Sequence, residues 1–337
     1  VYFGGGTPSY LGEKRLTKLL KTVKKRYHVA AGAEITLEAN PDSAGDWKTL
    51  RALRRAGFNR VSLGVQAADD ALLRRIGRVH TWDQVLSSVA AARMAGFDNL
   101  SLDLIYGLPG QTVAAWQDTL RAAAALETQH ISCYGLKVEP GTPLWQQRES
   151  ADIPDDDAQA DMYLWTVDYL EKQGYAQYEI SNFARPGYES RHNLKYWTLG
   201  EYAGFGPGAH SDMGGVRFAY ERDLDGYIAG ELRLSEMEEI APLDRDLEYI
   251  MLSLRTVQGI DSAYFQRQFR QKFQPMEELL AQYEVHGLAA RTERGWRLTP
   301  RGFFVSNAII VSLQEAVGQV RQRKLRQAAE GNFKIEV

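Results

Sequence analysis

Through the first 145 or so residues, strand-like and helix-like segments alternate, and polar and glycine-rich residues gather where each strand-like segment ends. Strand-like runs fall at 1–3, 35–38, 60–65, 100–105 and 130–138. Helical periodicity falls between them, at 12–27, 46–56, 69–76, 82–95 and 113–126. Repeated βα units imply parallel strands joined by right-handed crossovers. Runs of Val, Ile and Leu without clean alternation predict strands buried on both faces. Five such strands, with one more expected ahead of Val1, suit a curved sheet or open barrel.

The chemistry-bearing residues fall at the C-terminal ends of those strands. They are residues 4–7, Glu38-Ala39-Asn40-Pro41, Gln66, Asp103 with Tyr106-Gly107-Leu108-Pro109, and Glu139-Pro140-Gly141. Parallel α/β architectures place their sites at that edge. The triplet Gly4-Gly5-Gly6 lets a ligand approach the backbone closely, because no Cβ stands in the way.

After Pro154 the pattern changes. A helix at 157–173 leads to Tyr178-Glu179-Ile180-Ser181-Asn182-Phe183, then to a loop-rich aromatic stretch at 192–211. From Pro242 three helices, a strand–turn–strand at 290–298 and a last helix from about Pro300 predict a small α+β unit like a winged helix. This reading divides the chain into 1–150, a connecting region 151–240, a C-terminal domain 241–320 and a frayed polar tail 321–337.

Composition narrows the function. The 337 residues are 44% hydrophobic and 25% charged, ordinary globular values, and the net charge of −3 lacks the basic excess of a nucleic-acid binder. The hairpin Arg291-Thr292-Glu293-Arg294-Gly295-Trp296-Arg297 therefore reads as a structural or protein-contact module. No apolar run has the length of a membrane span. One cysteine, Cys133, cannot make an internal disulfide and predicts a reducing, cytoplasmic setting.

Taken in order, Gly4-Gly5-Gly6-Thr7-Pro8-Ser9, Glu38-Ala39-Asn40-Pro41, Gly64-Val65-Gln66, the run from Asp103 to Thr112, and the run from Tyr178 to Arg185 resemble a known family. It is the radical S-adenosylmethionine proteins related to oxygen-independent coproporphyrinogen III oxidase. His192-Asn193, Tyr196-Trp197 and residues 206–210 are closer to its heme-chaperone branch than to the oxidases. The resemblance implies a partial (β/α)6-type barrel that binds S-adenosylmethionine and a [4Fe–4S] cluster. The family's C-x-x-x-C-x-x-C motif lies ahead of the glycine triplet and is expected upstream of Val1. Three thiolates hold such a cluster, and Cys133, inside the last barrel strand, cannot replace them.

Site residues follow from the resemblance. Gly5, Gly6 and Thr7 would meet the methionine end of S-adenosylmethionine. Glu38 and Arg78 would meet its ammonium and carboxylate, with Arg74 and Arg75 as rivals for Arg78. Gln66 and Asp103 would hold the ribose hydroxyls. Ile105 and the backbone of Lys137 would line the adenine. His192 and His210 are candidate heme ligands, although either serves equally well as a hydrogen-bonded loop histidine. Tyr196, Trp197, Tyr202 and Phe205 would stack on a porphyrin or pack in a core. His28, His80, His130 and His286 read as structural or solvated.

Three functions compete at this stage. The first is heme binding and transfer to a recipient hemoprotein, including a membrane-associated respiratory protein. The second is radical oxidative decarboxylation of coproporphyrinogen III. The third is a barrel enzyme that binds a nucleotide without radical chemistry. The third predicts a basic cluster at the glycine edge, whereas Glu38 and Asp103 suit a zwitterion bearing a ribose.

Overall fold

Capping residues divide the chain into its helices. Asp46, Asp69, Thr112 and Asp155 each accept a backbone N–H at a helix start, and Thr81 forms a reciprocal box with Gln84. The computed structural model describes residues 1–149 and 152–332, with backbone alone over 323–332. Strands β1 (Tyr2–Phe3), β2 (Thr36–Ala39), β3 (Arg60–Gln66), β4 (Leu100–Tyr106) and β5 (His130–Gly135) alternate with helices α1 (Gly12–Arg26), α2 (Trp47–Ala56), α3 (Asp70–Arg75), α4 (Trp82–Met94) and α5 (Val113–Ala124). The five strands pair in parallel in chain order.

The five expected strands are parallel, and two short strands that the sequence did not reveal make the sheet mixed. After helices α6 (Pro143–Gln146) and α7 (Asp156–Lys172), strands β6 (Ala176–Gln177) and β7 (Asn182–Ala184) extend it beyond β5. Both pairings there are antiparallel, and the open order is β1-β2-β3-β4-β5-β7-β6. Two- and three-residue strands carry too little periodicity to stand out in a sequence.

A correction concerns the two faces. The register sets Tyr2, Glu38, Arg60, Ser62, Ser101, Asp103, His130, Ser132 and Asn182 on one face. Leu37, Val61, Leu63, Leu102, Leu104, Ile131, Cys133 and Phe183 occupy the other. The strands therefore alternate apolar and polar, yet both faces are buried. The apolar face takes the helices, including buried Leu16 and Leu20 of α1, Val85 and Val89 of α4, and Trp116 and Leu120 of α5. Each such side chain contributes about 1.5–3 kcal/mol. The Trp116 indole N–H donates to Thr166 Oγ1 at 2.8 Å, joining α5 to α7. The polar face is the interior of the curled sheet.

The chain divides into two compact units, with the division between His192 and Asn193 inside helix α8 (Arg191–Trp197). The boundary expected between residues 150 and 151 lies outside the described residues. The second unit opens with an antiparallel sheet in the order β10-β9-β8, made of β8 (His210–Met213), β9 (Val216–Tyr220) and β10 (Leu234–Glu239), with α9 (Leu224–Ala229) between the last two. Next come α10 (Asp246–Ser253), β11 (Ile260–Asp261), α11 (Ser262–Phe269), α12 (Gln274–Val285), β12 (Ala289–Arg291) and β13 (Gly295–Leu298). Strand β13 pairs antiparallel with both β11 and β12, which is winged-helix order. Helices α13 (Pro300–Phe304) and α14 (Ser306–Asn332) follow. Residues 321–332 are thus helical, where a frayed tail was expected; 333–337 lie outside the described residues. No helix among the described residues is long and apolar enough to cross a membrane.

Candidate functional site

The glycine triplet leaves β1 beside the end of β2, and its geometry depends on missing side chains. A Cβ on Gly4 would lie 2.3 Å from the Tyr2 ring and 2.8 Å from the Glu38 carboxyl. Gly5 has a φ of +88°, a region that L side chains avoid, and its N–H donates to Glu38 Oε2 at 3.1 Å. No described residue comes within 4 Å of where a Cβ on Gly5 or Gly6 would stand. Thr7 Oγ1 accepts from Asn40 Nδ2 at 3.2 Å, tying the turn to the residue after β2.

Glu38 and Asp103 are the acidic centre. The Tyr2 hydroxyl donates to Glu38 Oε1 at 2.5 Å. Burial raises the Glu38 carboxyl above its ordinary range, against the lowering effect of the Tyr2 and Gly5 hydrogen bonds. Asp103 accepts hydroxyl donors from Ser132 at 2.7 Å, Ser62 at 2.9 Å and Ser101 at 3.3 Å. Burial raises its carboxyl too, and the three serines and Arg60 oppose the shift. Below them the His130 ring bonds Ser101 Oγ at 2.7 Å and the Tyr178 hydroxyl at 2.8 Å. Burial holds that imidazole neutral.

Gln66 has a φ of +68° at a break in the β3–β4 register, between Gly64 and Gln66. A non-glycine residue there is uncommon, and such breaks re-aim side chains beside sites. A Cβ on Gly64 would meet Asn40 Oδ1 and Gln66 Nε2, each at 3.1 Å, so the amides of Asn40 and Gln66 flank one bare stretch of backbone. Arg78 follows α3, close enough to Tyr10 and His80 for its charge to act on both. Of its rivals, Arg75 is engaged with the Pro109 carbonyl at 3.0 Å and Arg74 is exposed. Ile105 packs with Leu136 and Ile76 against buried Leu72, Leu73 and Leu108, an apolar wall at the same strand ends.

The structure thus sets Gly5, Gly6, Thr7, Glu38 and Gln66 at or beside the strand ends, with Asp103 on the same face but mid-strand in β4, and Arg78 and Ile105 on neighbouring segments. Lys137 is exposed and paired with Glu139 at 2.9 Å. His192 lies by the starts of β1 and β2, at the other end of the strands from the glycine turn. Its ring stacks on Tyr2 at 4.0 Å and 10°, and its N–H and that of Arg191 donate to the Glu34 carboxylate. His210 belongs to the other unit, exposed and 3.3 Å from Glu236. There Tyr196 meets Tyr202 edge-on and Phe205 is exposed. His80 is buried against the Val65 carbonyl at 3.1 Å, while His28 and His286 are exposed. Sequence reasoning missed Tyr2, Arg60, the three serines, and His130 as a member of the interior. The signal was present in the alternation of Arg60-Val61-Ser62-Leu63 and Ser101-Leu102-Asp103-Leu104.

A family model described as the Radical SAM superfamily matches residues 1–123, and one described as the HemN C-terminal domain matches residues 240–305. A Lactococcus lactis protein named Heme chaperone HemW is 35% identical over 315 residues, covering 92% of this chain and 83% of that protein. The chain belongs to the HemW branch of the HemN-like radical S-adenosylmethionine family. The Bacillus subtilis protein of the same name is also 35% identical, with the same coverage. A Bos taurus protein named Radical S-adenosyl methionine domain-containing protein 1, mitochondrial, is 34% identical and covers 96% of this chain and 77% of its own. The Escherichia coli coproporphyrinogen III oxidase HemN structure matches in fold, with a TM-score of 0.78 at 24% identity over 93% of this chain and 76% of that one.

Membership implies S-adenosylmethionine and a [4Fe–4S] cluster. The open backbone at Gly5 and Gly6, the Glu38 carboxylate and the inward Asp103 fit a zwitterionic ligand with a ribose. The cluster is different. The described residues contain no group of three or more metal-ligating side chains. Cys133 is buried on the apolar face, and burial pushes its thiol well up. No residue set among the described residues fits the cluster.

Proposed function

We propose that this protein is a cytoplasmic heme chaperone that binds S-adenosylmethionine at the glycine edge of its sheet and hands heme to a recipient hemoprotein. The relatives named Heme chaperone HemW, similar along nearly the whole chain, support the heme half. The observation that carries the cofactor half is the grouping of Gly5, Thr7, Glu38 and Gln66 at the strand ends, above Asp103 on the inward face of β4. In this reading Glu38 accepts from the cofactor's ammonium, Arg78 meets its carboxylate, and Gln66 and Asp103 hold the ribose. Ile105 and the backbone at Lys137 flank the adenine. When bound, S-adenosylmethionine supplies a sulfonium centre; the residues of this chain bind it, orient it and keep water from it.

For heme, the proposed ligands are His192 and His210. His192 is the better placed, because it stacks on Tyr2, whose hydroxyl bonds Glu38 of the proposed cofactor site. The test is a heme titration read by the Soret band. His192→Ala or His210→Ala should shift the band, while His28→Ala, an exposed control, should not. Unchanged spectra in both single variants and in the double variant would remove these histidines as ligands. Turnover of coproporphyrinogen III without stoichiometric heme binding would favour the oxidase reading.

A further inference from the structure

Among all residues of strands β1–β7, Arg60 and His130 are the only basic ones. His130 is held neutral by burial, with the charge of Arg60 acting in the same direction. Arg60 is therefore the one interior cation among those strands. It is 2% exposed, and its Nε has no hydrogen-bond partner among the described residues. A buried guanidinium left so poorly bonded is expensive, so a reason for its presence is needed. One candidate is a bound anion. The surroundings oppose that, since Glu38, Asp103 and Glu179 already make the interior acidic. The remaining use of a positive charge there is on the carboxylates themselves.

We propose that Arg60 is a positioning residue that keeps Glu38 and Asp103 ionised inside the curled sheet, so that they can receive the ammonium and ribose hydroxyls of S-adenosylmethionine. The proposal rests on the cofactor reading above. Both carboxyls sit where burial favours the neutral acid, and a neutral Glu38 offers an ammonium no charge. Arg60 begins the inward row on β3 that continues through Ser62, the residue paired with Glu38 on one side and Ser101 on the other. Its charge acts on Glu38, Asp103 and Tyr2 in the direction that favours the ionised forms. The other titratable groups facing these carboxyls do not replace it. Tyr2 on β1, Tyr134 on β5 and Tyr178 ahead of β7 are all pushed towards the neutral phenol by burial. Glu179 is buried and adds negative charge.

The test is S-adenosylmethionine binding by titration calorimetry from about pH 5 to about pH 7.5, below the titration of the ligand's own amine. The natural full-length protein, with any cluster it carries, is compared with Arg60→Lys and Arg60→Met. Affinity should rise with pH as the carboxyls ionise. Arg60→Met should displace that rise upward by about one pH unit, a roughly tenfold loss at the acid end that narrows as pH increases. Arg60→Lys should follow the parent curve. Arg60→Gln, which keeps polarity without charge, supplies the same readout if the methionine variant does not fold. A loss equal at every pH, a curve superimposed on the parent, or an Arg60→Lys loss as large as that of the neutral variant would overturn the proposal. Absence of binding by the parent protein would instead overturn the cofactor reading beneath it.

Discussion

Gly6→Ala separates a glycine that the ligand needs from one that the fold needs. Gly6 is exposed, its φ is not positive, and no atom of the described residues lies within 4 Å of where its Cβ would stand. The added methyl meets nothing in the free protein. The unfolded chain loses conformational freedom, so stability should stay level or rise by up to about 1 kcal/mol. The same methyl stands in the space proposed for the methionine end of the cofactor. Overpacking of that kind costs about 1–3 kcal/mol, roughly fivefold to 150-fold in Kd. Gly4→Ala behaves differently, because its Cβ would fall 2.3 Å from the Tyr2 ring and displace Tyr2 from Glu38. It should destabilise the fold as well as weaken binding. Thermal unfolding and calorimetric titration with S-adenosylmethionine on both variants give the comparison. A Gly6→Ala protein that binds S-adenosylmethionine with undiminished affinity would refute the argument, as would one destabilised by more than about 1 kcal/mol.

Asp103→Asn should weaken S-adenosylmethionine binding by about 1–3 kcal/mol, read by the same titration. It should also flatten part of the pH dependence of stability. The folded chain holds a proton on the raised Asp103 carboxyl that the unfolded chain releases, so its contribution to stability falls as pH rises from about 4 through the raised folded value. Denaturant unfolding of the ligand-free asparagine variant should lack that decline; an identical slope in both proteins would contradict the burial account. In the second unit, Asp212 accepts two bonds from Arg245 at 2.8 and 2.6 Å and one from Arg217 at 3.0 Å. Asp212→Ala should cost about 3 kcal/mol, the low end for a buried pair because both guanidiniums keep some solvent. Arg245 holds the Asp212 carboxyl below its ordinary value, so that stability is present above about pH 4 and lost as pH falls through the folded value. A parent-minus-variant stability difference that does not shrink on acidification would count against this assignment.

The sequence determined the parallel core and the edge where the chemistry gathers. The βα units rest on local signals, such as the cap Asp46 that begins α2 and Gly57 at φ +118° that ends it. These signals span a few residues each and need no knowledge of the rest of the chain. The motif residues were legible for the same reason, since Gly4 follows β1, Gln66 ends β3, and Glu38 and Asp103 lie within short strand runs. The tertiary structure alone decided what the strands face. The run Arg60-Val61-Ser62-Leu63 alternates, but whether its polar members meet water or an enclosed interior depends on how far the sheet curls, and partners distant in sequence set that curl. It is why Arg60 could be found only in three dimensions, and why His192 was placed on the ring of Tyr2, 190 positions earlier, by no local rule. The short strands β6 and β7 belong to the same class. Two or three residues carry no period of their own, and the exposed edge of β5 is what makes them strands.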